Sequence, residues 1–255
     1  VGAPEQRAAA GLDTAGDIAD TRETFSLTRG SAEIALLGDY SDARKIQDWR
    51  QPIRRSPLMN PRITFVAAPL LVLAYGVIRI LDGLDGVRGP GLAWTSGHLA
   101  FIGALALFVP VSWHMRRLAG RGTLSTVSTV IGYVGSLALL AQFVIDIAVS
   151  FIATDRAGMD AIFTQIQSVP GVLFAVYNVV PILFYVGQLA LIVQLTVQRH
   201  VKIWVPFVYV LNILMPLVGK DLIPVGAILT LVSLIPIIGQ VSRTAEPAPA
   251  VPAAA

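Results

Sequence analysis

The sequence predicts an all-α protein: an integral membrane bundle of six transmembrane helices with both termini cytoplasmic. Three observations carry this expectation. Only 14% of the 255 residues are charged and 55% are hydrophobic, whereas a soluble domain carries about 25% charge, so this chain has too few charges to coat a globule of its size. The apolar residues come in long blocks rather than at a period of 3.6 or 2, as expected for helices solvated by lipid. Finally, Arg-rich connectors alternate with Asp-rich ones along the chain, a pattern that orients each helix across a bilayer.

Residues 1–58 are polar and hold no spanning run. The stretch 31–49 has weak helical character, interrupted by Gly38 and Asp39. The first methionine is Met59, directly before the first apolar block. Two readings of this segment stand side by side: a disordered cytoplasmic tail, since low hydrophobicity cannot offset ordering entropy, or a gene-model extension ahead of a start at Met59.

The membrane domain covers 59–242. Span one, 63–81, is about 28 Å of helix, enough for the hydrocarbon core. Without a small-residue cleavage site at its end it reads as an uncleaved anchor. The connector 82–91 is a chain of turn residues. Span two, 94–115, ends in Arg116 and Arg117; span three covers 126–153. Next come Asp155, Arg156 and Asp160, then 161–168, suited to lie flat at the interface. Span four, 169–197, is long enough to tilt, with Pro181 as an expected kink. Span five, 203–218, is shorter and contains Pro206 and Pro216; span six, 222–240, contains Pro236. The Pro/Ala-rich tail, 243–255, is expected to be disordered.

With six spans, Arg50, Arg54, Arg55, Arg62, Arg116, Arg117, Arg121, Arg199, Lys202 and Arg243 share one side. The opposite side has Arg88, Arg156 and Lys220, outweighed by Asp82, Asp85, Asp155, Asp160 and Asp221. The positive-inside rule makes the first side cytoplasmic. Trp94 then falls at the outer boundary, and Trp113 and Trp204 at the inner one, as in an aromatic belt. The net charge of +3 is explained by this orientation without a nucleic-acid partner. Sixteen Arg against three Lys suggest a GC-rich bacterial genome, hence the bacterial cytoplasmic membrane. No internal repeat links the first three spans to the last three, so inverted-repeat folds gain no support.

Ionisable groups inside spans are costly and point by default to function. Asp146 lies about five residues inside the outer end of span three, with Gln142 one turn deeper on the same face. His98 lies at similar depth in span two, and Arg79 near the outer end of span one. Asn178, Tyr185 and Gln188, spaced seven and three residues apart, fall along one helical stripe of span four, and Asn212 sits mid-span five. Together these eight residues define a candidate outward-facing polar pocket for ligand binding or proton handling. Each also has a bland reading: Arg79 could snorkel or pair with Asp82 or Asp85, and the amides could join helices by hydrogen bonds. Small residues in span two (Gly97, Ala100, Gly103, Ala104) and span three (Gly132, Gly135, Ser136) fit close helix packing.

Other chemistries find little footing. The chain has no cysteine, which removes disulfides and thiolate sites. His98 and His114 lie about 24 Å apart on one helix and cannot grip one haem iron. His114 and His200, the one pair with possible haem geometry, lie at the inner face beside Arg116, Arg117 and Arg199 and read as ordinary interface residues, and Asp82 and Asp85 offer too few ligands for calcium. No metal and no cofactor is therefore expected, and no familiar catalytic loop occurs. Three functional readings follow. The pocket binds or transports a small or lipid-like ligand; or Asp146 and His98 act as acid and base on a lipid or isoprenoid; or the chain is a non-catalytic subunit or regulator, in an oligomer or complex, whose polar groups are packing contacts.

Overall fold

The computed structural model describes residues 61–84 and 86–245, and every regular element among them is helical. The N-terminal segment, Met59, Asp85 and the tail from residue 246 lie outside the described residues. The helices are α1 (Pro61–Leu81), α2 (Leu92–Leu118), α3 (Thr123–Ile152), α4 (Arg156–Ser168), α5 (Ile182–Val197), α6 (Trp204–Val218) and α7 (Ile223–Ala245). A π-helical turn, Leu173–Asn178, precedes α5, and a 3-10 turn, Lys220–Leu222, precedes α7.

Five helical stretches are long and apolar enough to cross a membrane: Arg62–Leu81, Leu92–Leu118, Thr123–Ile152, Leu173–Val197 and Lys220–Val241. At 15 residues α6 is shorter, about 22 Å of helix. The outward surfaces carry large apolar side chains such as Leu137, Phe207, Leu217 and Ile235, each more than half exposed. That inverted surface is what lipid solvation requires and water would penalise. Buried serines and threonines, by contrast, satisfy themselves within their own helices: Ser112, Ser128, Thr129, Thr230 and Ser233 each donate to the carbonyl four residues back.

Six of the helices close a ring in the order α1, α2, α3, α5, α6, α7 and back to α1, with α2 also touching α5 and α7. Glycines set the closest approaches. A Cβ on Gly135 would fall on the backbone of Leu183 and Phe184, and one on Gly187 on the backbone of Gly132 and Ser128. The glycines of α3 therefore serve α5. Those of α2 serve α1, since Gly97 faces Tyr75 and Ile78 and Gly103 faces Leu71. The glycines of α2 and α3 thus face different partners, a choice that spacing within each helix cannot specify.

The connectors sort to two ends. The guanidinium of Arg88 donates to Asp221 at 2.7 Å, and Arg156 Nη1 donates to the Arg88 carbonyl at 3.1 Å. The connectors following α1, α3 and α6 therefore share one end. At the other, Gln198 Nε2 donates to the Ala119 carbonyl at 3.1 Å, and Arg116 Nε to Thr126 Oγ1 at 3.1 Å. Two helices stop there by the same device. After α2, Gly120 (φ 87°) passes the chain through the left-handed region, and Arg121 N–H bonds back to the Arg116 carbonyl. After α5, Arg199 (φ 61°) occupies the equivalent position, and His200 N–H reaches the Leu195 carbonyl.

Several boundaries differ from expectation. Span four is not one kinked helix from residue 169: the π turn ends at Asn178, and Pro181 caps α5 instead of bending it. Pro lacks the N–H that a helix interior needs and fits its start. The interfacial stretch is longer than expected, a helix from Arg156 with the Asp155 carboxylate accepting Gly158 N–H at 2.7 Å. Its apolar residues Met159, Ile162, Phe163 and Ile166 share one face and pack toward Trp94 and Val149. Finally, α7 runs through Ala245, past the expected start of the tail.

Candidate functional site

On α2, four residues separate Trp94 from His98, so they share a face. Their rings stack with centroids 4.4 Å apart. The His98 Nδ1 lies 2.6 Å from the Trp94 carbonyl. A carbonyl only accepts, so Nδ1 carries the hydrogen. On α3, an unbroken helix of 30 residues, Gln142 and Asp146 share a face in the same way. The indole Nε1 of Trp94 donates to the Asp146 carbonyl at 3.0 Å, tying the two helices together.

These ties bring His98 Nε2 to 3.6 Å from Asp146 Oδ2, with side chains 5% and 12% exposed. The distance is within ion-pairing range and just beyond a hydrogen bond. With Nδ1 committed as donor, a neutral imidazole presents an Nε2 lone pair to the carboxylate. The contact is attractive once a proton lies between them, on either partner. The other carboxylate oxygen, Oδ1, accepts from the Tyr177 hydroxyl at 3.4 Å.

Tyr75 of α1 completes an aromatic collar. Its ring meets His98, Phe101 and Phe143 edge-on at 5.6, 5.2 and 5.3 Å, and Phe101 stacks on Phe143 at 4.1 Å. Below the collar is a cavity of about 260 Å³, with walls from all six helices of the ring and including Leu105, Phe108, Phe184, Tyr185, Tyr209 and Asn212. Above it is a wider vestibule of about 760 Å³, lined by Tyr177 and by Asp160, Phe163, Thr164 and Gln167 of α4. Arg79, Trp94, Gln142, Asp146 and Lys220 line both chambers and form the neck between them. The inner chamber falls just below the 300–1,000 Å³ range of ligand pockets, and its mostly apolar wall with a few convergent polar groups fits that class.

Of the eight residues singled out from sequence, the structure brings six to this cavity: Asp146, His98, Arg79, Gln142, Tyr185 and Asn212. The other two stand apart. Gln188 is buried and donates to Ser112 Oγ at 2.7 Å, and Asn178 is exposed and lines neither chamber. The π turn ending at Asn178 and the break before Ile182 shift the register, so 178, 185 and 188 do not share a stripe. Trp94 is not a lipid-facing anchor either: it is 9% exposed and turned inward, whereas Trp113 and Trp204 are exposed at 46% and 38%. Tyr75, Tyr177 and Tyr209, outside those eight, also line the two chambers. A signal existed for the first, since Tyr75 and Arg79 are one turn apart like Trp94/His98 and Gln142/Asp146.

Among the described residues no group of three or more His, Cys, Asp or Glu side chains could hold a metal ion. No protein-family model matches the chain, and no curated protein and no solved structure matches it. The functional reading therefore rests on the geometry.

Proposed function

We propose that this chain crosses the bacterial cytoplasmic membrane six times with both termini inside, and that its outward-facing cavity binds, or carries across, a small or lipid-like ligand. The observation that carries the reading is the buried His98–Asp146 contact at the neck between two connected chambers. Ionisable pairs inside a membrane domain are costly to retain and cluster where ligands or protons are handled. The sorting of connectors to alternate ends supports six crossings, with α6 as the short one. The distribution of Arg and Lys supports the orientation. A cavity walled by six helices favours binding over the packing role, in which polar groups would meet helix to helix without a chamber between them.

The chain has no cysteine, so single-cysteine variants report accessibility without background. Gln142→Cys, at the neck, should react with a membrane-impermeant maleimide added to intact cells, whereas Arg121→Cys should react only after permeabilisation. Labelling of Gln142→Cys only from the cytoplasmic side would overturn the orientation and, with it, the outward-facing pocket.

A further inference from the structure

Resting on the pocket reading, we infer that the ligand is an amphipathic anion, with an acidic head held at the neck by Arg79 and Lys220 and an apolar body in the aromatic chamber. Among the described residues that line the two chambers, cations outnumber carboxylates: Arg79, Arg88, Arg156 and Lys220 against Asp146 and Asp160. Arg88 is answered by Asp221 at 2.7 Å, and Arg156 by Asp160 at 2.9 Å. Asp146 has His98 Nε2 at 3.6 Å, a counter-charge when that ring is protonated, and accepts from the Tyr177 hydroxyl. That leaves two cations in the neck. The Nε of Arg79 is buried and without a hydrogen-bond partner among the described residues. It lies 4.0 Å from Asp221, a carboxylate already engaged by Arg88. The ammonium of Lys220 has no ion pair among the described residues, although it lines both chambers.

A buried guanidinium N–H without an acceptor is costly, and a carboxylate or phosphate oxygen is its natural complement. A cationic ligand would instead face two fixed positive charges in a low-dielectric neck, while Asp146, the one carboxylate among the described residues that line both chambers, already has two partners. The inner chamber limits the body. Its wall is aromatic and aliphatic, and about 260 Å³ suits a phenyl ring or a short chain rather than a whole lipid. An acidic head could belong to a free solute or to a lipid headgroup entering from the outer leaflet; the recognition chemistry is the same.

The test uses purified full-length Gln142→Cys in nanodiscs of neutral phosphatidylcholine. Its labelling rate is compared between a sulfonate-bearing (anionic) and a trimethylammonium-bearing (cationic) methanethiosulfonate. The anionic reagent should react at least about tenfold faster after correction for intrinsic reactivity. That preference should vanish in Arg79→Gln/Lys220→Gln and persist in Arg79→Lys, which keeps the charge. Phenylpropionate should slow labelling by a neutral thiol reagent, and phenylpropylamine should not. Equal or reversed charge preference, with labelling intact, would overturn the anion and leave the pocket standing. No labelling by either reagent, in protein whose thiol reacts after denaturation, would overturn the pocket itself. If adding phosphatidylglycerol to the nanodiscs slows the neutral reagent, the head is a lipid's; if only phenylpropionate does so, the ligand is a solute.

Discussion

The His98–Asp146 contact should carry a measurable coupling energy, and a double-mutant cycle isolates it. The perturbations are His98→Gln, Asp146→Asn and the pair together, each removing charge while keeping a polar group of similar size. With the shared proton on His98, two unit charges 3.6 Å apart attract by ~4.6 kcal/mol at an effective dielectric of ~20. Two effects reduce that figure. Holding both groups out of water costs much of the gain, and the Asp146 side chain keeps 12% of its exposure at the neck. The expected coupling is therefore ~1–3 kcal/mol, with Asp146→Asn and His98→Gln each destabilising alone and the double variant losing less than their sum. Denaturant unfolding of the four proteins in one detergent at one pH measures it. Energies that add to within ~0.5 kcal/mol would show the two groups to be independent, and the reading of the neck as a single proton-sharing unit would fail with them.

Two further outcomes probe the frame that holds the neck. Gly135→Ala places a methyl on the Leu183–Phe184 backbone, which cannot swing aside as a side chain would. Thermal unfolding should show a loss of ~1–3 kcal/mol or more, whereas Gly239→Ala, with nothing within 4 Å, should be neutral or mildly stabilising. Arg199→Gly relieves a left-handed backbone at φ 61° and should raise stability by ~1 kcal/mol in the same assay; a loss would mean that the arginine side chain has a compensating contact at that end.

How much of this was legible beforehand varied with the continuity of the helices. Counting residues inward from span ends placed His98 and Asp146 at one depth because α2 and α3 are uninterrupted through that region. Helical spacing likewise put Gln142 beneath Asp146, and both line the neck. The same arithmetic failed on span four, where a π turn ends at Asn178 and a proline-capped restart intervenes before Tyr185. A π turn has no strong sequence signature, whereas its effect on register is large. Trp94 illustrates a second limit. A tryptophan at a span end fits a lipid-facing belt and an inward stack equally well; only the rotation of α2, set by Gly97 and Gly103 against α1, decides between them. Tyr75 and Tyr209 were hidden for a related reason, since an aromatic in an apolar helix reads as ordinary core.

The two halves of the bundle differ in a way that bears on binding versus transport. Toward the neck the helices enclose chambers. Toward the end where α2 and α5 terminate, Val111, Met115, Leu191, Ile192, Leu195, Leu234 and Ile237 are each at most 1% exposed and fill the ring. Phe108 and Phe184, whose rings meet edge-on at 5.1 Å, lie between the chamber and this plug. Just beyond them the one-turn step from Phe108 to Ser112 brings in the buried Gln188–Ser112 hydrogen bond at 2.7 Å. Binding needs nothing further than the geometry described. Transport would need the plug to part, and the α3–α5 seam is a poor place for it, because its backbones already meet at Gly132, Gly135 and Gly187. The α5–α6 contact has no comparable glycine seam, and Gln188 sits on α5 facing α2. The α1–α7 seam is also tight, since a Cβ on Gly76 would fall 2.7 Å from Pro224 Cδ, so a parting of the plug is least opposed between α5 and α6.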